Sequence, residues 1–490
     1  MSPFNSAIYK RLMKGLEITE VKISKLFAEN PTKRIDSEYF QKRYINNVAT
    51  IEAFSAGWVR LGDRLKELTG GATPLGANYP KDGVRFLRVQ NIMPNFIDDS
   101  DIVYISDEDD KTLSRSRLKK NDVLLTITGV SYGKSAVVTN EFANSNINQH
   151  SVRMELQSGA FEPLFISTFL NSSLGKLQSD QNVTGVTRPA LDYEAIRRFR
   201  IPLVSKDFQK AIAQTVRIGQ QKFSEMRKFF AKAEEEFLVS VGLGNWQPPS
   251  PLSYTYQASE VFTERRLDAE HFQPKYNAMI DTMHSFGIQT KPLGEIIEPV
   301  ISGIDCRDFI PDGIPYIRVG DIRDGRLFNE NAKKINLALD EISKEIKLLP
   351  GDVLFTRKGS YGNAAIVRLG QQNCIISTEI IRLRITPTWQ DKLLPEYLSS
   401  YFNSLVGSYQ AEKWAHGVAF YSITQDDLYK FEVPIPSIKA QKNIRKALND
   451  SEKTLQHANE LLENAKRAVE IAIGKNEAEA LVFLDSILEK

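Results

Sequence analysis

Cysteine is almost absent from this sequence. Only Cys306 and Cys374 occur in 490 residues, far apart and without partners at metal-ligand spacing. That excludes a disulfide framework and a Cys/His zinc site, and it points to a cytosolic compartment. Long apolar runs are also missing: no stretch of about 18 such residues occurs, so no membrane span is expected. Met1 to Gly15 is mixed and basic (Lys10, Arg11, Lys14) and lacks the apolar core of a secretory signal. Neither charge dominates, with 63 Lys and Arg against 61 Asp and Glu and a formal net charge of +2. Global charge therefore neither demands nor excludes nucleic acid, and any basic surface must be local. Catalytic signatures are missing too. His150, His271, His284, His416 and His457 form no ligand-spaced motif, and no Gly-x-Ser-x-Gly elbow occurs. The Asn-Pro-Pro-Tyr or Asp-Pro-Pro-Tyr signature of amino-methyltransferases is absent; Gln247-Pro248-Pro249 lacks both flanking residues.

What the chain does have is itself, twice. Residues 35–240 are echoed at 267–472, at an offset of 229 to 232. Ile35-Asp36-Ser37-Glu38-Tyr39-Phe40-Gln41 returns as Leu267-Asp268-Ala269-Glu270-His271-Phe272-Gln273. Asp122-Val123-Leu124 and Thr126 return as Asp352-Val353-Leu354 and Thr356. Phe199-Arg200-Ile201-Pro202 returns as Phe431-Glu432-Val433-Pro434. A duplication this long means two similar domains with pseudo-two-fold symmetry.

Each copy reads as an α+β block followed by a long helix. Strands are expected at 84–89, 122–128, 135–138 and 151–156, and again at 314–319, 352–356, 364–367 and 376–385. Helices are expected at 162–178 and 395–408. After Ser205, apolar or small residues fall at Phe208, Ile212, Val216, Gly219, Phe223, Met226, Phe230, Ala233, Phe237 and Val241. After Ser437 they fall at Ile444, Leu448, Ser451, Leu455, Ala458, Leu462, Ala465, Val469 and Ala472. Steps of four and three make each a coiled-coil seam, and two seams of equal length in one chain should pair antiparallel. At 1.5 Å per residue each helix spans roughly 50 Å. The division is then 1–45, completing the repeat; 46–204, the first block; 205–245, a central spacer helix; 246–285, a connector and the start of the second repeat; 286–436, the second block; and 437–490, a C-terminal spacer helix.

Gly129-Val130-Ser131-Tyr132-Gly133-Lys134-Ser135 looks like a phosphate loop but has one residue too few between its glycines. The sister segment, Gly359-Ser360-Tyr361-Gly362-Asn363-Ala364, has no lysine. A glycine turn between strands is the better reading. It presents Ser131, Tyr132 and Lys134 in one copy and Ser360, Tyr361 and Asn363 in the other. Asp107-Glu108-Asp109-Asp110 reads as a solvated surface turn. Two further segments keep their scaffold positions and change their polar ones. Thr187-Arg188-Pro189 becomes Ala419-Phe420-Tyr421, and Gln149-His150-Ser151 becomes Thr378-Glu379-Ile380. Arg188 suits a bidentate pair to guanine and Gln149 a pair to adenine. Lys119, Lys120, Lys134, Arg357 and Lys358 suit phosphate contacts beside the glycine turns. Neutral drift of loops after duplication would give the same differences and stays open for any single residue.

The duplicated Asp-Val-Leu-x-Thr strands, each followed by its glycine turn, and the Ile-Pro-Leu and Val-Pro-Ile-Pro segments leading into long helices resemble the specificity subunit of type I restriction-modification systems. The resemblance covers nearly the whole chain. It implies two target-recognition domains, each reading half of an asymmetric bipartite site in double-stranded DNA, separated by antiparallel helices. It implies a non-catalytic chain without its own cofactor, docking two methyltransferase subunits that carry S-adenosylmethionine, with room for restriction subunits. The family's Leu-Pro-Pro-Leu-x-Glu-Gln entrance to the long helix is degraded here, and only Gln209 and Gln441 echo it. A coiled-coil protein-binding adaptor, or a self-contained DNA-modifying enzyme, are the competing readings.

Overall fold

The computed structural model describes residues 9, 11–24, 26, 34–74, 76, 79–185, 187–264, 266–330, 332–337, 346–417 and 420–488. It divides into two compact units, Met1–Ser224 with Leu455–Lys490, and Glu225–Thr454. Each unit holds one β-rich block and stretches of both long helices.

In the first unit a four-stranded antiparallel sheet has the order Leu65–Gly70, Ser151–Leu156, Val123–Thr126, Ser135–Val137. The second unit repeats that order with Ile301–Ser302, Ile380–Leu383, Val353–Thr356 and Ala364–Ile366. The middle strand Val123–Thr126 and its counterpart Val353–Thr356 are buried at every position, so apolar residues run without alternation. A smaller sheet in each block sets a strand parallel to a short partner: Val84–Leu87 with Asn146–Ile147, and Ile314–Ile317 with Ile375–Ile376.

The repeated aspartate has a definite task. Asp122 Oδ2 accepts from Lys119 N at 2.8 Å, and Asp352 Oδ2 accepts from Leu349 N at 2.6 Å. Each carboxylate closes the turn that delivers the buried strand. Helix Pro163–Asn171 covers the first sheet, and Pro395–Asn403 the second. An asparagine ends each one. Asn171 accepts from Ser135 N and donates to Ser135 O and Ser167 O; Asn403 does the same with Ala364 and Ser399.

The expected single helices at 162–178 and 395–408 are each two. Ser172 and Ser404 break them, taking extended backbone and capping Ser173–Asn182 and Leu405–Trp414 through bonds from Gly175 N and Gly407 N. Hydroxyl caps compete with helix continuation, which periodicity does not register. The strand expected at 376–385 is likewise two, Ile375–Ile376 and Ile380–Leu383. The acidic run is not a surface turn. Ser106 caps a helix, Asp107–Thr112, whose first turn it forms. Asp110 is 1% exposed, pairs with Arg117 and accepts from Asn146 Nδ2 at 3.1 Å.

The central helix is Lys206–Ser240 and the C-terminal helix Ile438–Gly474; a further helix, Glu477–Leu488, follows the latter. Most seam residues are buried, with Phe230, Leu448 and Leu455 half-buried. In the first unit a Cβ on Gly219 would lie 2.8 Å from Leu462 Cδ2 and 3.4 Å from the Ala458 carbonyl. In the second unit Ser451 Oγ donates to Met226 O at 3.1 Å. Within the first unit Ser205 N also donates to Glu477 Oε1 at 2.9 Å, so as the central helix advances from 205 to 219 its partners recede from 477 to 462 and the two run antiparallel there. Each helix end also packs on a block: Phe208 against Phe165 in the first unit, Phe237 stacked at 5.3 Å on Tyr397 in the second. Burying such side chains is worth about 1.5–3 kcal/mol each. Gln209 and Gln441, 2% and 0% exposed, accept from Glu162 N and Leu394 N, both at 2.9 Å, at the starts of the helices Pro163–Asn171 and Pro395–Asn403.

Candidate nucleic-acid interface

The glycine turns sit at one end of each main sheet, and a threonine hydroxyl holds each in place. Thr126 Oγ1 donates to Ser131 O at 2.6 Å and accepts from Lys134 N at 2.9 Å. Thr356 Oγ1 donates to Ser360 O at 2.8 Å and accepts from Asn363 N at 3.0 Å. Gly129, Gly133, Gly359 and Gly362 all have φ between 75° and 90°, which the turn requires. The recurrence of Asp-Val-Leu-x-Thr thus has a cause at both ends, one residue starting the strand and the other tying the loop that follows.

Two further loops converge on each turn through the same backbone bonds. Ile127 N donates to His150 O and Leu191 N to Ile127 O, both at 2.9 Å; Arg357 N donates to Glu379 O at 2.9 Å and Ile423 N to Arg357 O at 2.8 Å. Thr128 pairs with Ala190 and Thr184 with Ala190, just as Lys358 pairs with Ser422 and His416 with Ser422. Position by position, then, Arg188 corresponds to Phe420 and His150 to Glu379. Gly185 and Gly417 turn the third loop with φ of 91° and 130°; a Cβ would lie 2.7 Å from Arg188 O and 2.1 Å from Phe420 O. Val186, Val418 and Ala419 lie outside the described residues.

The side chains on these matching platforms differ. In the first unit Thr187, Arg188 and Gln149 are exposed. Arg188 Nη2 lies 3.0 Å from His150 Nε2, and Thr128 Oγ1 lies 2.6 Å from His150 Nδ1. Burial and the Arg188 charge push the His150 pKa down, so the imidazole is neutral at pH 7. Gln149 Oε1 accepts from Thr73. In the second unit Phe420 is 79% and Tyr421 45% exposed, and Lys358 and Ser360 are exposed beside them. The rings of Tyr361 and Tyr421 are 5.8 Å apart. Arg357 Nε donates to Thr378 O at 3.2 Å, and Thr378 Oγ1 to Glu379 Oε1 at 3.1 Å.

Not every residue singled out from the sequence projects outward. Tyr132 donates to Asp180 Oδ1 at 2.9 Å under the Lys176 ammonium, 3.7 Å from its ring centroid. Burial, with that bond to a carboxylate, pushes its pKa up to about 12. Lys134 Nζ reaches Met93 Sδ at 3.7 Å, and Asn363 Nδ2 returns to Ser360 O at 3.1 Å. Lys119 pairs with Glu155 at 2.7 Å, and the strand Val123–Thr126 separates it from the glycine turn. Thr128, Thr73 and His416 belong to the two platforms and carry no motif of their own. Their only sequence signal is their place beside the repeat positions. Among the described residues, no group of three or more His, Cys, Asp and Glu is placed to hold a metal ion, and no helix is long and apolar enough to cross a membrane.

Two β-rich domains of one fold and long helices packed together make this a duplicated α+β protein with two differently furnished loop platforms. Residues 305–467 match the type I restriction modification DNA specificity domain. The chain is similar to the type I restriction enzyme EcoBI specificity subunit of Escherichia coli, 29% identical over 136 residues that span 28% of each protein. Among solved structures it is similar to the S subunit of the type I restriction-modification system of M. genitalium. That match is 13% identical, covers 86% of this chain and 96% of that one, and has a TM-score of 0.39. It is also similar to the HsdS subunit of Thermoanaerobacter tengcongensis, at 19% identity, 88% and 95% coverage and a TM-score of 0.27.

Proposed function

We propose that this chain is the non-catalytic reader of its complex, each loop platform contacting one half of an asymmetric bipartite site in double-stranded DNA. One observation carries the reading: the platforms share their backbone bonds but present Thr187, Arg188, Gln149 and His150 in one copy and Lys358, Ser360, Phe420 and Tyr421 in the other. Backbone bonds position a loop, whereas exposed donors, acceptors and rings discriminate bases. Arg188 is assigned to a bidentate base contact, with Gln149 beside it. Arg357 and Lys358 are assigned to phosphates, while Lys134, turned towards Met93, helps to shape its turn. Ser131, Tyr132, Tyr361, Asn363 and Thr378 shape the turns that carry them.

The paired helices act as the spacer that sets the unspecified gap. Two methyltransferase subunits dock on the chain and bring S-adenosylmethionine and the adenine chemistry; restriction subunits join on the same scaffold. The test is reconstitution with the methyltransferase subunits and S-adenosylmethionine, followed by sequencing of methylated positions in random DNA. A two-part motif with unlike halves and a fixed gap is expected. Methyl transfer by the purified chain alone would refute a non-catalytic role. DNA binding without a steep salt dependence would refute the reader and favour the adaptor.

A further inference from the structure

We propose that Arg34 and Arg266 are positioning residues for the two reading loops, latching residues 183–190 and 415–422 from segments that lie outside both blocks. The proposal rests on the loops being the DNA readers, and it adds a determinant of specificity that no reading loop contains.

Both copies share an aspartate pair and a bond to the carbonyl that follows the helix, made by different guanidinium nitrogens. Arg34 is held by Asp36, Nε to Oδ2 at 2.7 Å and Nη2 to Oδ1 at 2.7 Å. Its remaining nitrogen, Nη1, donates to Val183 O at 3.0 Å and Gln181 O at 3.3 Å. Arg266 is held by Asp268, Nε to Oδ1 at 2.7 Å and Nη2 to Oδ2 at 2.5 Å. Its Nη2 also donates to Ala415 O at 3.1 Å. Val183 and Ala415 are equivalent: each follows the last residue of its helix, Ser173–Asn182 or Leu405–Trp414, and immediately precedes its reading loop. The last carbonyls of a helix lack intrahelical donors, and a guanidinium there satisfies them and suits the helix dipole. The arginine side chains are 19% and 11% exposed, so water competes little for these bonds.

The second copy adds a contact to the loop itself. Arg266 Nη1 lies 3.1 and 3.2 Å from the two ring nitrogens of His416. No in-plane donor can be equally close to both, so the guanidinium lies over the imidazole face. His416 Nε2 is in turn 2.8 Å from Asp427 Oδ2, and His416 bridges Ser422 across the neck of the loop. The latch therefore reaches the root of the loop by two routes. Arginine is required because a bidentate pair to the aspartate leaves one nitrogen aimed elsewhere, which a lysine cannot do.

The experiment uses the full chain with Arg34→Ala, Arg266→Ala and the milder Asp36→Asn. Amide hydrogen exchange of the free protein is read first, because it does not depend on DNA. Arg34→Ala is expected to speed exchange in residues 183–190 by about tenfold while residues 415–422 keep their rate; Arg266→Ala is expected to do the reverse. Asp36→Asn, which leaves the arginine but frees it, is expected to act on 183–190 alone and less strongly. Unchanged exchange in the matching loop, or equal acceleration throughout a unit, overturns the latch. Discrimination is read next, in the complex with methyltransferase subunits, as the affinity ratio of the intact site to sites altered in one half. Arg34→Ala should erode the ratio for one half-site and Arg266→Ala for the other. Equal erosion at both halves overturns the positioning role. If the unaltered protein discriminates neither half, the DNA-reading assignment fails, while the exchange result still decides the latch.

Discussion

Gly219 offers a quantitative test of how the long helices pair. A glycine in the middle of a 35-residue helix is costly: replacing it with alanine in an open position stabilises by about 0.8–1.0 kcal/mol. Here the new methyl would meet Leu462 Cδ2 at 2.8 Å and Cγ at 3.3 Å. Overpacking of that kind costs about 1–3 kcal/mol, so Gly219→Ala should be neutral to destabilising by about 2 kcal/mol. Leu462→Ala, at a site 4% exposed, should cost about 2–5 kcal/mol. In that background the obstruction is gone, and Gly219→Ala should now stabilise by about 1 kcal/mol or more. The two changes are therefore coupled by about 1–3 kcal/mol, and the alanine changes sign with its background. Urea unfolding midpoints of the four proteins measure this directly. If Gly219→Ala stabilises by about 1 kcal/mol in both backgrounds, the glycine faces solvent and the antiparallel register drawn from it is wrong.

Arg188→Ala should weaken discrimination at one half-site by about 1–3 kcal/mol and leave the other half alone; a uniform loss across all sequences, measured by competition binding, would make it a phosphate contact. Asn171→Ala and Asn403→Ala each remove three bonds to backbone, and each should cost about 2–4 kcal/mol in denaturant unfolding, with similar values in the two units. His150 gives a pH signature. Its folded pKa lies below the ordinary 6.5, so the unfolded chain binds the extra proton. Its contribution is complete above the unfolded value and is lost as pH falls through 6.5 towards the folded pKa. Melting followed from pH 8 to pH 5 should show that loss, and His150→Gln should reduce the slope. Glu155 works lower. Bonds from Lys119 and Lys66 bring its pKa to about 2 from 4.5, so its stabilisation is lost between those values as pH falls.

Much of the architecture was legible because a repeat is a control on itself. The stepping of Ile212, Val216, Gly219 and Phe223 marked a seam that is buried as expected, since heptad spacing is a direct record of one helix face. The threonine that ties each glycine turn, Thr126 or Thr356, was visible as a repeated residue. Other features depend on where a side chain turns after the backbone is set. Ser172 and Ser404 look like ordinary helix residues until their hydroxyls cap the next helix. Asp110 is indistinguishable in sequence from Asp109, yet one is sequestered and the other is not. Tyr132 looks like a reader and its hydroxyl is spent on Asp180. The latch was not legible because Arg34 and Arg266 lie outside any helix or strand periodicity, and the carbonyls they reach are 149 residues away in the chain.

Comparing the copies separates two kinds of constraint. Ile127 and Arg357, Thr128 and Lys358, Thr184 and His416, and Pro189 and Tyr421 have little in common as side chains, yet their segments make the same backbone bonds.

 Such bonds use only N–H and C=O groups, which every non-proline residue carries, so the loops can exchange their side chains without losing their place. On the proposed reading, that freedom lets one fold face two different half-sites. The arginine latch is under the opposite constraint. Its bonds run from a particular side chain to carbonyls, and only a guanidinium fixed by an aspartate two residues away can make them. Arg34 with Asp36 and Arg266 with Asp268 are accordingly the same in both copies, although the loops they hold are not. Specificity in such a chain can therefore change at the loop tips while the loop roots stay as they are.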